Sequence, residues 1–183
     1  MNKLQKLIFA ALLSALTFVT TYVIKIPTPT MGYIHPGDAV VLLSGFLLGP
    51  LYGGFAAGFG SMLSDLLGGY ISYAPGTFLI KFFTAVLAAF LYEETQKILK
   101  SDQKTISTVI AGTIAELFMV LGYFIFEIFL LGIVTDGLSS ASISAGIVAS
   151  AAGVPFNVVQ GIFAVIIATI LHPILKKVLR QTK

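Results

Sequence analysis

Apolar residues run through this chain in stretches too long for one face of a soluble helix, broken by short clusters of proline, glycine and polar side chains. The first stretch, about 4–24, stops at "KIPTPT", where Pro27 and Pro29 remove backbone donors and push their neighbours towards extended conformations. Residues 25–37 then read as a loop. A second stretch, about 38–48, runs into "GP" at 49–50, and a third, about 51–68, ends at the turn-rich "GGYISYAPG". A fourth covers about 77–92 and is followed by the charged connector "YEETQKILKSDQK"; a fifth covers about 106–134 and a sixth about 150–175. A perpendicular crossing needs roughly 20 apolar residues, so the second stretch must be packed inside protein or paired tightly with the third. The pattern predicts an all-α integral membrane protein of six transmembrane helices, forming one domain over 1–183.

Composition agrees: 57% of the 183 residues are hydrophobic and 10% are charged, against roughly 25% charged in soluble domains. The opening "MNKLQKLIFAALLSALTFV" has the basic start and apolar run of a signal peptide. The run continues to about Ile24 without a small-residue cleavage site, so it reads as a retained first helix. The absence of cysteine excludes disulfides, thiolate metal sites and cysteine nucleophiles. Charge placement gives an orientation. Lys3, Lys6, Lys97, Lys100, Lys104, Lys176, Lys177, Arg180 and Lys183 fall on the termini and the fourth connector, whereas Lys25 stands on the other side. The positive-inside rule then makes both termini cytoplasmic and turns "MGYIHPGD" (31–38), "GGYISYAPG" and "TDGLSSASISAG" outward.

Asp65, Lys81, Glu116 and Glu127 lie within apolar stretches, where an unpaired charge costs about 2.5–3.5 kcal/mol even on the lenient insertion scale. At about 100° per residue, Glu116, Tyr123 and Glu127 fall within about 20° of one line. Asn157 and Gln160 share a face of the sixth stretch, as do Thr77, Lys81 and Thr84 of the fourth. The bland alternative is that Lys81 merely neutralises Asp65 or Glu116 as a buried pair holding the bundle together. One lysine cannot neutralise three carboxylates, and the amides and tyrosines add further unclaimed groups; a polar pocket near the extracellular side accounts for the surplus. His35 alone can be a solvated loop histidine. Asp38 suits the N-cap of the second helix, a role compatible with ligand contact.

Small residues recur at four-residue spacing. Gly54 with Gly58, and Gly53 with Ala57, permit close helix approach in the third stretch. Ala11 and Ala15 share a face of the first, with Ala10 and Ser14 beside it.

The series "GYIHPGDAVVLLSGFLLGPLYGG", "GSMLSDLLGGYISYAPGTFLIK", "AELFMVLGYFIFE" and "PFNVVQ" resembles the substrate-binding S components of energy-coupling factor (ECF) vitamin transporters. It is closest to the branch labelled riboflavin-type or assigned to pyridoxine and hydroxymethylpyrimidine. The resemblance covers essentially the whole chain. It implies a multi-pass plasma-membrane subunit that captures a vitamin or precursor from outside and docks on an ECF module of a transmembrane coupling protein and two ATPases. Together with the polar positions read above, the expected pocket draws on Tyr33, His35, Asp38, Asp65, Tyr73, Lys81, Glu116, Tyr123, Glu127, Asn157 and Gln160. Loops carrying Met31, Gly32, Gly37, Gly69 and Tyr70 would cover that pocket, and Ala11 and Ala15 would pack on the coupling protein. No cofactor or metal bound by the chain itself and no nucleic-acid partner are expected. The sequence has no GxxxxGK[ST] phosphate loop, so ATP would be used by the partner subunits.

Two other classes compete. An intramembrane hydrolase is disfavoured because the only histidines are His35, in an outer loop, and His172, near the cytoplasmic end; HExxH is absent too. A self-sufficient proton-coupled permease would use Asp65, Glu116 and Glu127 as titrating groups, but the stretches show no evident inverted repeat. For the ligand, a pocket rich in both signs suits a small heteroaromatic: pyridoxine, with a ring nitrogen on a carboxylate such as Glu116 and its phenolate on Lys81, or hydroxymethylpyrimidine. Riboflavin, the alternative, needs a larger and less charged site.

Overall fold

A computed structural model describes residues 1–28, 32–99, 104–136 and 139–181. Helix α1 (Lys3–Val23) starts in a capping box, in which the Asn2 side chain accepts from the Gln5 backbone N–H at 2.8 Å and the Gln5 side chain accepts from the Asn2 N–H at 2.9 Å. The proline-rich segment after it pairs back on itself as a short antiparallel ladder, β1 (Ile26–Pro27) with β2 (Tyr33–Ile34). Met31 lies outside the described residues. Helices α2 (Gly37–Leu48) and α3 (Pro50–Gly68) meet at Gly49, whose φ of 78° favours glycine, and Pro50 pre-sets the first turn of α3. Gly69, with φ 86° and ψ 7°, closes α3 in the left-handed helical region. The chain continues as α4 (Ala74–Ile98), α5 (Lys104–Asp136), α6 (Ser140–Ala151) and α7 (Val154–Gln181).

The described residues thus hold seven helices where the hydropathy pattern predicts six. The additional one is α6, which occupies most of the segment read as an outward connector. Its buried residues, Ser142, Gly146 and Ser150, are spaced by four. A Cβ on Gly146 would press on the Ile128 carbonyl, so α6 lies directly against α5 through this row of small residues. It is only twelve residues long and serines interrupt its apolar residues, so no long continuous apolar run marks it and it reads as a loop. Helix α4 also begins earlier and ends later than expected, taking Gly76 out of the connector and adding a polar last turn. Four helices, α1, α4, α5 and α7, are long and apolar enough to cross a membrane.

Helix α2, too short to cross alone, is enclosed by the others. Every residue of it except Leu47 is buried. Leu42, Leu43 and Phe46 pack with Ala88 and Tyr92 of α4, Ala111 and Ala115 of α5, and Ala164 and Ala168 of α7. Lipid cannot drive this association, because its tails are as apolar as leucine; close van der Waals approach must. Glycines provide it. A Cβ on Gly45 would collide with the Ala85 carbonyl, and one on Gly53 with the Ser44 carbonyl. Gly54 and Gly58 make room for Phe82 and Phe78, and Gly60 lets α3 reach the Ser14 carbonyl and Thr17 of α1.

These contacts differ in what could yield. Gly45→Ala and Gly53→Ala meet backbone, and each should destabilise the protein by about 1–3 kcal/mol. Gly112 faces side-chain ends, those of Val165 and Leu42 at 3.3 and 3.4 Å and of Phe46 at 3.8 Å, so Gly112→Ala should be neutral or up to about 1 kcal/mol stabilising through helix propensity. Thermal unfolding in detergent checks the contrast, and three equal shifts would refute it.

Candidate functional site

The site is built on one buried ion pair. Lys81, fully enclosed on α4, directs its ammonium to both oxygens of Asp38, at 2.5 Å to Oδ1 and 2.8 Å to Oδ2. Gln160 of α7 donates from Nε2 to Asp38 Oδ2 at 2.6 Å, and its Oε1 accepts the backbone N–H of His35 at 2.7 Å. The Tyr123 ring of α5 lies 4.9 Å from the Lys81 ammonium. Asp38 is therefore not the N-cap of α2. Pro36 holds that position, and Asp38 sits in the first turn, where the helix dipole favours an anion. Lys81 takes neither Asp65 nor Glu116 as its hydrogen-bonded partner.

On the loop side of this pair lies a cavity with about 20 Å³ of open space, room for roughly one water. Of the expected binding residues, Tyr33, His35, Asp65, Tyr73, Tyr123, Glu127, Asn157 and Gln160 line it. Asp38, Lys81 and Glu116 do not. The first two form the pair beneath it, joined to it through Gln160. Glu116 faces a lateral groove of about 200 Å³ between α5 and α7, beside Val158, Gly161 and Ile162. Among the described residues no donor reaches its carboxyl oxygens, but the carboxyl adjoins Asp38 and so borders the ion pair as well as the groove, and Gly161 lets α7 close to its side chain. Alignment along one line of α5 says nothing of depth: eleven residues put Glu116 about 16 Å along the axis from Glu127.

Sequence reasoning omitted Thr21, Thr28 and Thr77 from the lining. Two of them had a signal: Thr77 shares a face with Lys81, and Thr17 with Thr21 forms the buried polar edge of the otherwise apolar α1. The polar groups of the cavity are largely acceptors. Asp65 Oδ1 accepts from the Tyr33 hydroxyl at 2.6 Å, while its buried Oδ2 has no partner. The Tyr73 hydroxyl donates to Glu127 Oε1 at 3.4 Å, and that of Tyr123 to Thr77 at 3.1 Å.

The loops close over this cavity through aromatic rings. Tyr33 stacks at a tilt on Tyr70 and His35, with centroids 4.6 and 5.4 Å away, and Tyr70 meets Tyr73 edge-on. Lys25 caps the cluster, its ammonium 4.6 Å from the Tyr22 and Tyr33 rings and 5.3 Å from Tyr70. Burial lowers the Lys25 pKa against the pull of Asp65. Burial, reinforced by Asp65, raises that of Tyr33, so its hydroxyl keeps the proton it donates. His35 is pushed down to about 3, chiefly by desolvation, with Asp38 opposing and Lys81 and Lys25 adding. The imidazole is neutral at ordinary pH, and its Nδ1 accepts the Gly37 N–H at 3.1 Å. Gly37 cannot carry a Cβ without striking Thr21 and the His35 ring, and Gly32 lines the cavity wall. Gly69 supplies the left-handed turn that brings Tyr70 over.

In the middle of α1, Ala11 and Ala15 are exposed, while the neighbouring Ser14 edge packs on Gly60.

Comparison with known proteins agrees with this architecture. A solved structure of the S component of a bacterial ECF transporter superposes with a TM-score of 0.66, covering 97% of this chain and 99% of that one at 22% identity, a likeness of fold. An uncharacterised protein from the gap 3' region of Pyrococcus woesei is 39% identical over 106 residues, which are 57% of this chain and 66% of that protein's length. The family model described as "ECF-type riboflavin transporter, S component" matches residues 1–177, and the chain belongs to that family.

Proposed function

We propose that the chain captures a small heteroaromatic vitamin or precursor, pyridoxine or hydroxymethylpyrimidine, in the cavity beneath the tyrosine-lined loops. The observation that carries this reading is the placing of two buried carboxylates, Asp65 and Glu127, among Tyr33, Tyr73 and Tyr123 around one small space. Such a wall offers acceptors at the edges and rings at the faces. It suits a ligand with several N–H or O–H donors about one flat ring. The open space is far smaller than any of these ligands, so entry requires the loops to move, and Lys25 with its three tyrosines is the contact that must open. Riboflavin is the second reading, favoured by the description of the family model. Its tricyclic ring asks for a larger displacement of the same side chains.

The resemblance and the charge distribution support an orientation with the basic end cytoplasmic and the loops facing out of the plasma membrane. Uphill transport would then depend on an ECF module that supplies ATP hydrolysis. The exposed Ala11–Ala15 face is the proposed docking surface for its coupling protein. A proton-coupled permease acting alone would instead show uptake without that module.

Calorimetry with pyridoxine, hydroxymethylpyrimidine and riboflavin decides the ligand. Glu127→Gln and Asn157→Ala should each weaken binding of the true ligand by roughly ten- to a hundredfold, the loss of one hydrogen bond to a charged or fully buried group, without lowering the melting temperature. Lys81→Met should behave differently, costing about 3–5 kcal/mol of stability because Asp38 is left buried and uncompensated. Binding of riboflavin alone would overturn the small-ligand assignment, and unchanged affinities in both pocket variants would overturn the pocket itself.

Docking is separable from binding. Ala11→Trp combined with Ala15→Trp should leave vitamin affinity unchanged but abolish co-purification with the coupling protein and ATP-driven uptake in vesicles. Uptake at the parent rate would mean that this face meets only lipid.

A further inference from the structure

The end of the bundle opposite the loops holds a second cavity, of about 170 Å³, between the first turns of α5 and the last turns of α7. Its walls include Lys104, Thr105 and Thr108 on one side and Thr169, His172, Lys176 and Lys177 on the other. That is about the bulk volume of five or six waters. We propose that it binds a phosphate group, either the headgroup of an anionic phospholipid or a free phosphate.

Four features converge on an anion. Three lysines line the space, and among the described residues no carboxylate does. Helix α5, 33 residues long, opens here, so its first-turn N–H groups, which have no partner within the helix, and its positive dipole end are at the same place. Lys176 is held in position by the Tyr92 hydroxyl at 2.9 Å and by the face of that ring.

The fourth feature is independent of charge counting. His172 is 1% exposed, lines the cavity, and has no partner for its Nε2. The neighbouring Thr169 hydroxyl is likewise buried without a partner. Phe46 and Tyr92 meet the imidazole edge-on, which explains why the ring is held but not why a polar nitrogen is left unpaired in a wall of cations. A phosphate oxygen accepting from Nε2–H and from the Thr169 hydroxyl would satisfy both atoms while neutralising the lysines. Thr108 has already spent its proton on the Thr105 carbonyl, so it offers no second donor.

The chain has two histidines, His35 and His172, so ¹⁵N-imidazole NMR of the full chain reads this site with His35 as an internal reference. In phosphatidylcholine nanodiscs, the His172 Nε2 signal should move when phosphatidylglycerol is included, or when inorganic phosphate is titrated, while His35 stays. Movement with phosphatidylglycerol alone assigns the site to a lipid headgroup, and movement with inorganic phosphate as well assigns it to the free anion. Lys104→Gln and Lys177→Gln should each weaken the effect by about three- to tenfold, with vitamin binding unchanged. A His172 signal that ignores both additions, or responds equally in both lysine variants and the parent, would overturn the proposal.

Discussion

An ammonium and a carboxylate buried together in an apolar bundle constrain everything around them. Neither Lys81 nor Asp38 could remain charged there alone, and once paired they cannot part without leaving the other uncompensated. Gln160 completes the arrangement and extends it to the His35 backbone. Helices α2, α4 and α7 are thereby fixed to one another at a single depth, and the first loop is tied to the same point. Above this floor the cavity is walled by Asp65 of α3, Tyr123 and Glu127 of α5, Thr77 of α4, and the loop tyrosines Tyr33 and Tyr73.

The enclosed position of α2 follows from the same requirement. A twelve-residue helix bearing Asp38 could not face lipid, and burying it on all sides demanded that neighbouring helices come very near. Gly45 and Gly53 make this possible at the α4 and α3 contacts, and a row of alanines does so towards α5 and α7. Polar satisfaction and close packing are thus not separate properties of this bundle. The ion pair dictates which helix lies inside, and the small residues dictate how tightly it can be held.

Much of this was legible in the sequence, and the gaps have a common cause. Hydropathy located α1, α4, α5 and α7, and "GP" marked the break between α2 and α3. The same measure passed over α6, whose buried face is Ser142, Gly146 and Ser150 and whose signal lies in spacing. Charges within apolar runs singled out Asp65, Lys81, Glu116 and Glu127, and the structure buries all four. Their partners, however, are set by tertiary contact: Asp38 and Lys81 are 43 residues apart, and nothing local distinguishes that pairing from Lys81 with Asp65 or Glu116. Angular position on α5 similarly could not tell that Glu116 leaves the cavity for a lateral groove.

The two ends of the molecule treat charge in opposite ways. At the loop end, Asp65 and Glu127 outnumber the nearby cation Lys25, which sits over three tyrosine faces and so closes the cavity without filling it. A cation held by ring quadrupoles is held more weakly than one held by a desolvated carboxylate. Beyond the rings, Lys25 has among the described residues only a long bond to the Ser64 carbonyl, at 3.5 Å, against the two short contacts of Lys81 with Asp38. The weaker of the two charge contacts therefore faces the loops, and the stronger one holds α2 to α4.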